Sequence, residues 1–325
     1  MKKESPPLTS SPAENHDNLS RAEELALKLL EERRKKAAIN MEDFVSVPQY
    51  GEERVRHDQK RVEIKKSKIE ATGMAPGPRG RLLEGLMIDQ IELGNWFGEN
   101  TFTVASSEYD DYYHGVDLVA GTRENEETTK HMALGIDVTS STMRIRKKLG
   151  IIKREIGNGK LTTVEYFHSE DYKPDYYGSL ENIPYVVVGA GDKTINEISE
   201  LWMSAYGLKR MRGHEDESLT PEAREGIRKR AKAASQKLAN HRIQFLLLEE
   251  IKMQLIAFIK FAEKKNRKQI AEQLDSTLES VNSILAGKKS ITLEEEDKLN
   301  NASDPVFQSL KDAVDDFENL PLISD

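Results

Sequence analysis

Residues 106–141 read SSEYDDYYHGVDLVAGTRENEETTKHMALGIDVTSS, and this stretch decides the fold. Two short apolar runs stand inside it, Val116–Val119 and Met132–Val138. Each embeds one aspartate: Asp117 in GVDLV and Asp137 in LGIDV. Aspartate is depleted in strands, and burying its carboxylate without a partner is costly. Strand propensity therefore accounts for neither residue. The intervening TRENEETTK is polar and turn-forming, so the runs are expected to be neighbouring antiparallel strands. Pairing brings the two carboxylates together on one edge, an arrangement that binds a hard divalent cation such as Mg2+ or Mn2+.

Working outward, Leu82–Phe97 has the spacing of an amphipathic helix that carries Glu84 and Glu92. Phe102–Val104 is expected to open the first strand. Glu108, Asp110 and Asp111 then lie at the rim of a site or in a wet loop. Beyond Ser141 comes TMRIRKKLGIIKR, with six cations and no acid: Arg144, Arg146, Lys147, Lys148, Lys153 and Arg154. A cluster there would contact phosphates, the dominant source of nucleic-acid affinity; the bland reading is a solvated basic helix. Leu161–Phe167 alternates like a strand, Ile183–Gly189 reads as a buried strand, and Asp192–Tyr206 resumes helical spacing. Strands enclosed by helical segments give an α/β class, a sheet flanked by helices.

The aspartates resemble the acidic pair of the PD-(D/E)XK nuclease superfamily, over roughly residues 81–206. In that family an acid on one strand is followed by (D/E)-x-K on the next, and Asp117 and Asp137 match the two acids. The resemblance implies a mixed sheet flanked by helices, a metal held by Asp117 and Asp137, and one further glutamate from the preceding helix. Glu92 is preferred for that role over Glu84. Thr139 stands where the family has lysine, and Lys147 or Lys148 of the next segment is expected to supply it.

Composition sets the outer bounds. The 325 residues suggest two domains or one with long extensions. No cysteine is present, which removes disulfides and thiolate chemistry and fits a reducing, cytoplasmic setting. The most apolar run, Phe245–Phe261, holds four charged residues and is too polar to span a membrane. Residues 291–325 carry ten acids and two lysines, which accounts for the whole net charge of −8. The body is neutral, so overall charge does not argue against a nucleic-acid partner. Histidines are scattered without ligand spacing, and His131 reads as an ordinary strand residue.

Residues 1–18 have the composition of a disordered tail, and the end beyond Leu320 is expected to be equally dispensable. A helical arm follows over 19–74, in which Arg21–Ala38 is a helix and its ERRKK a solvated face. The breaker APGPRG at 75–80 then introduces a nuclease-like domain over 81–212. A mainly helical region covers 219–303, and an acidic tail 304–325. Thr220-Pro221 starts a helix expected to run to about residue 265. Its apolar half needs a partner in this chain or in a second copy, so a homodimer is an open expectation. Residues 267–289, RKQIAEQLDSTLESVNSILAGKK, resemble a helix-turn-helix of the Cro/repressor kind, although Asp275 and Ser276 depart from its turn; the plainer reading is a helical hairpin.

The expectation is thus a Mg2+- or Mn2+-dependent nuclease acting on nucleic acid, DNA before RNA, with no membrane partner. The alternatives are a non-catalytic binding or scaffold protein on the same fold, or a helix-turn-helix DNA-binding regulator.

Overall fold

The computed structural model describes residues 18–72, 77–122, 132–169, 176–207 and 220–323. Residues 1–17, which carry the expected disordered tail, and His131 lie outside the described residues. Helix α1, Arg21–Ala37, starts with a capping box in which Ser20 and Glu23 satisfy each other's backbone amides. A short 3-10 turn and α2, Gly51–Ala71, follow. Helix α3, Pro78–Leu93, begins on the second proline of the APGPRG breaker, whose fixed φ suits a first helical position.

Strand β1, Thr101–Ala105, leads into α4, Glu108–His114, a helix where a rim or wet loop was expected. Ser107 caps it, and Gly115 ends it in the left-handed conformation at φ 69°. Strands β2, Leu118–Thr122, and β3, Met132–Thr139, pair antiparallel as expected of the two apolar runs. Helix α5, Ile145–Asn158, takes up the basic block. The ribbon of β4, Thr162–Ser169, and β5, Tyr176–Ile183, precedes β6, Tyr185–Gly189. The main sheet is mixed, in the order β1-β2-β3-β6, with β6 parallel to β3. The class is therefore α/β, with helices packed on a mixed sheet.

Along β3 the pleat sends Leu134, Ile136 and Val138 into the large apolar cluster shared with Leu82, Leu83 and Leu86 of α3. Gly135 instead approaches Ile183 and Thr162 of the β4–β5 ribbon. The arm is integral to the body: α1 packs on α3, α2 packs on α4, and Ala26 and Leu30 belong to the main cluster.

Helix α6, Asp192–Trp202, runs into a π turn at Met203–Gly207. The long helix expected from Thr220 is two helices, α7, Pro221–Ala239, and α8, Ile243–Lys264. Side chains hold the break by taking the end carbonyls of α7. Trp96 Nε1 donates to Leu238 O at 3.0 Å, and Gln244 Nε2 donates to Ala239 O at 3.0 Å. The apolar positions of α8 are covered within the chain by β6 and the C-terminal helices, so no second copy is needed to bury them.

Residues 268–287 form one uninterrupted helix, α9, so the turn expected near Asp275 is absent. Ile270, Ala271, Leu274, Thr277 and Val281 make one buried stripe along it, and α9 packs against α8. No glycine stands at 275 to open a turn, and the continuous stripe favours continuing the helix. Helices α10, Glu295–Ala302, and α11, Pro305–Asp315, complete the chain.

The acidic tail is docked rather than loose. Val306, Leu310, Phe317 and Leu320 are buried, and Arg154 Nη1 donates to Ile323 O at 2.7 Å. This corrects the expectation that the chain beyond Leu320 plays no part.

Among the described residues strand β6 has β3 on one side only, and its other backbone edge is closed by side chains. Gln254 of α8 accepts from Val187 N at 3.0 Å and donates to Val187 O at 2.6 Å. Glu250, one turn earlier, accepts from Gly189 N at 2.8 Å. A primary amide reproduces the donor and acceptor of a neighbouring strand, so a helix seals the sheet edge.

Candidate acidic site

The β2–β3 register pairs Leu118 with Ile136. Asp117 stands one residue before that pair, and its N donates to Ile136 O at 2.9 Å, one residue off the ladder's register. The two acids of the apolar runs are still near enough for the charge of Asp137 to act on Asp117. Asp117 Oδ2 accepts from Val138 N at 2.6 Å. Asp137 Oδ2 accepts from the Tyr185 hydroxyl at 2.9 Å, and that hydroxyl also lies 2.9 Å from Gly115 O.

Thr139 closes the end of β3. Its hydroxyl accepts from Ser141 N at 3.1 Å and turns the chain toward α5. Helix α5 then brings Lys148 back, with its Nζ 2.5 Å from Asp137 Oδ1. Lys147, about 100° around the helix, is exposed. Of the two candidate lysines, the fold puts Lys148 at the carboxylates.

Glu84, not Glu92, is the α3 acid at this cluster. Glu84 is buried and ion-paired with Arg34 of α1, which also reaches Asp111 of α4 at 3.5 Å. Burial is the largest influence on Glu84 and pushes its carboxyl up to about 8, against the pull of Arg34. Burial likewise raises Asp117 well above the usual carboxylate range, helped by the charges of Glu84, Asp137 and Asp111. Asp111 is raised for the same first reason, and Tyr185 is raised by burial and then by Asp137. Four carboxyls thus share two cations, Arg34 and Lys148, and the cluster is short of positive charge.

Glu92 is exposed near the end of α3, where its Oε1 accepts from Thr103 N at 3.1 Å and ties the helix to β1. Asp110 is fully buried and structural, accepting from Glu165 N and Tyr166 N at 2.6 and 3.0 Å to join α4 to β4. Glu108 is exposed and pairs with Lys66.

Most of the basic block is engaged within the chain. Lys153 is buried and donates to Glu318 O and Leu320 O at 2.6 and 2.7 Å. Burial lowers its ammonium from the ordinary lysine value. Arg146 pairs with Asp316, and Arg154 holds Glu155 and Ile323 O. Arg144 and Lys147 are exposed. The C-terminal segment meets Lys153 and Arg154, and it also pairs with Arg146, which stays exposed.

Sequence reasoning passes over Arg34 and Tyr185 as members of this site. Glu84 carries the signal that singles out the aspartates, an acid inside an apolar run, LLEGLM. Arg34 sits in ERRKK and Tyr185 in IPYVVVG, and neither stretch marks it.

Hard carboxylate oxygens suit Mg2+ or Mn2+, and a cluster short of positive charge fits a divalent cation. Among the described residues, however, no three histidine, aspartate or glutamate side chains converge as a ligand set. No family model, curated protein or solved structure matches the chain.

Proposed function

We propose that the chain hydrolyses phosphodiester bonds in nucleic acid, DNA before RNA, with Mg2+ or Mn2+, as the PD-(D/E)XK resemblance implies. The observation that carries this reading is Lys148 reaching Asp137 from α5, with Asp117 just before β2 bonded to the next β3 residue, Val138, and Thr139 at the end of the same strand. It supplies an ammonium beside the acidic pair from a position other than the strand itself.

In this reading Asp117 and Asp137 would hold the cation, and Glu84, paired with Arg34, stands beside them as the α3 acid. When bound, such a cation supplies a water of lowered pKa and stabilises charge on the phosphorus oxygens. Lys148 orients the attacking water and Tyr185 fixes the Asp137 carboxylate. Arg34 holds Glu84 and Asp111 and limits the repulsion within the cluster. A location in the cytoplasm belongs to the same proposal.

The test is incubation with single-stranded, duplex and branched DNA, with and without Mg2+ or Mn2+. Cleavage is expected only with the cation, and Asp137→Asn should abolish it. Cleavage that survives in EDTA or in Asp137→Asn overturns the assignment.

A non-catalytic scaffold on this fold is the second reading. It is favoured by Asp137, whose two oxygens are engaged by Lys148 and Tyr185. Calorimetry that detects no divalent-ion binding dependent on Asp117 and Asp137 would decide for it.

A further inference from the structure

From Gly226 onward, helix α7 carries positive charge only. Residues 226–248 contain no acid, and within them Arg228, Lys229, Arg230, Lys232 and Lys237 are all exposed. On the inner side Ala234 and Leu238 are buried, and Ser235 Oγ lies 3.1 Å from the Tyr206 hydroxyl. The helix packs through this side on α6 and the π turn after it. At 100° per residue the five cations spread over the remaining face. Lys229 has one acid near it, Glu225 at 3.8 Å, a full turn toward the helix start.

We propose that this outer face of α7 is a docking surface for the sugar-phosphate backbone of a nucleic-acid duplex, bound without regard to sequence. The inference rests on the nuclease reading for its choice of polymer. It moves backbone binding away from α5, whose Arg146, Lys148, Lys153 and Arg154 are engaged within the chain.

Three features define the partner. The cations from Arg228 to Lys237 extend about 14 Å along the helix at 1.5 Å per residue, a stretch that fits within one turn of duplex DNA. It carries no aromatic residue on which single-stranded bases could stack. It also exposes no large apolar side chain; among the described residues those exposed are Ile64, Leu93, Met143, Leu299 and Leu322, all elsewhere. A helix lying on an anionic membrane needs such an apolar face.

The test uses the full chain in EDTA, so that no cleavage is required. Binding of a duplex of about 20 base pairs is followed by fluorescence anisotropy from low to moderate salt. The quadruple variant Lys229→Gln, Arg230→Gln, Lys232→Gln, Lys237→Gln should weaken binding on the order of tenfold or more. It should also flatten the plot of log affinity against log salt by about one unit for each phosphate no longer neutralised. Because these side chains are exposed, its melting curve should match wild type. The double variant Lys232→Gln, Lys237→Gln, a milder change, should show about half the loss of slope.

An unchanged salt slope in both variants overturns the proposal. So does binding to phosphatidylserine vesicles with none to duplex, or tighter binding to single strands than to duplex. Cleavage separates the two readings. Duplex binding through α7 with no cleavage under any cation leaves the surface standing and removes the nuclease. Cation-dependent cleavage with binding indifferent to the α7 variants does the reverse.

Discussion

Lys148 Nζ and Asp137 Oδ1 stand 2.5 Å apart, on a helix and a strand joined by the turn that Thr139 caps. The lysine side chain is about a quarter exposed and the aspartate nearly buried. Removing the lysine leaves a carboxylate among Asp117, Asp111 and Glu84 with the Tyr185 hydroxyl as its remaining side-chain donor.

Lys148→Met should therefore lower stability by about 1–3 kcal/mol at neutral pH, the usual cost of orphaning a largely buried charged group. Denaturant unfolding at pH 7 measures it. The variant should also lose any cation-dependent cleavage, whereas Lys147→Met should change neither property. Equal effects from the two lysines would contradict the placement of Lys148.

Gln254 replaces a missing strand beside β6. Gln254→Leu keeps the volume but leaves the amide and carbonyl of Val187 without partners in a buried place. A loss of about 2–4 kcal/mol is expected, one buried unsatisfied group at each end. Thermal melts test it. Gln254→Glu should fall between, because one carboxylate oxygen still accepts from Val187 N.

Lys288 is buried and donates to Asn95 O at 2.8 Å and to Gln244 Oε1 at 2.5 Å, with no carboxylate among these partners. Burial lowers its ammonium to about 8. In the unfolded chain a lysine keeps its proton to about pH 10.4. Between these values the unfolded state binds more protons, so stability from this group rises as pH rises and is lost as pH falls through about 8. Unfolding curves from pH 7 to 10 should show this gain in wild type and its loss in Lys288→Met. A wild-type curve that runs parallel to the variant's across that window would contradict it.

The C-terminal segment is held by Lys153, which donates to Glu318 O and Leu320 O, and by Phe317, whose ring lies 4.9 Å from that of Phe258. Truncation after Asp316 should destabilise the fold by several kcal/mol, because it removes two buried apolar side chains and leaves Lys153 without acceptors. Truncation after Ile323 should leave the melt unchanged. Differential scanning calorimetry of both truncated chains reads the contrast.

The amino-acid sequence by itself determined the β2–β3 hairpin and its two aspartates. A carboxylate inside an apolar run is expensive to bury, so its presence there is visible without a structure. Period also marks α3, β4 and α6, because burial of one face imposes it, and a continuous apolar run marks the buried β6. Glu84 is legible by the same rule as the aspartates, yet the sequence reading prefers Glu92, since two acids on one helix are separated only by which face meets the sheet. The break between α7 and α8 is hidden because Trp96 and Gln244 hold it, and Trp96 is distant in sequence. The single helix at 268–287 is decided by a stripe that packs on α8, which local turn propensity does not record. Only the tertiary structure chose Lys148 over Lys147, recruited Arg34 from a stretch that reads as a solvated face, and gave most of the α5 cations to the C-terminal segment. Each of these depends on which charges meet across elements far apart in the chain. Pairing of that kind is a property of distance in space, on which a single sequence is silent.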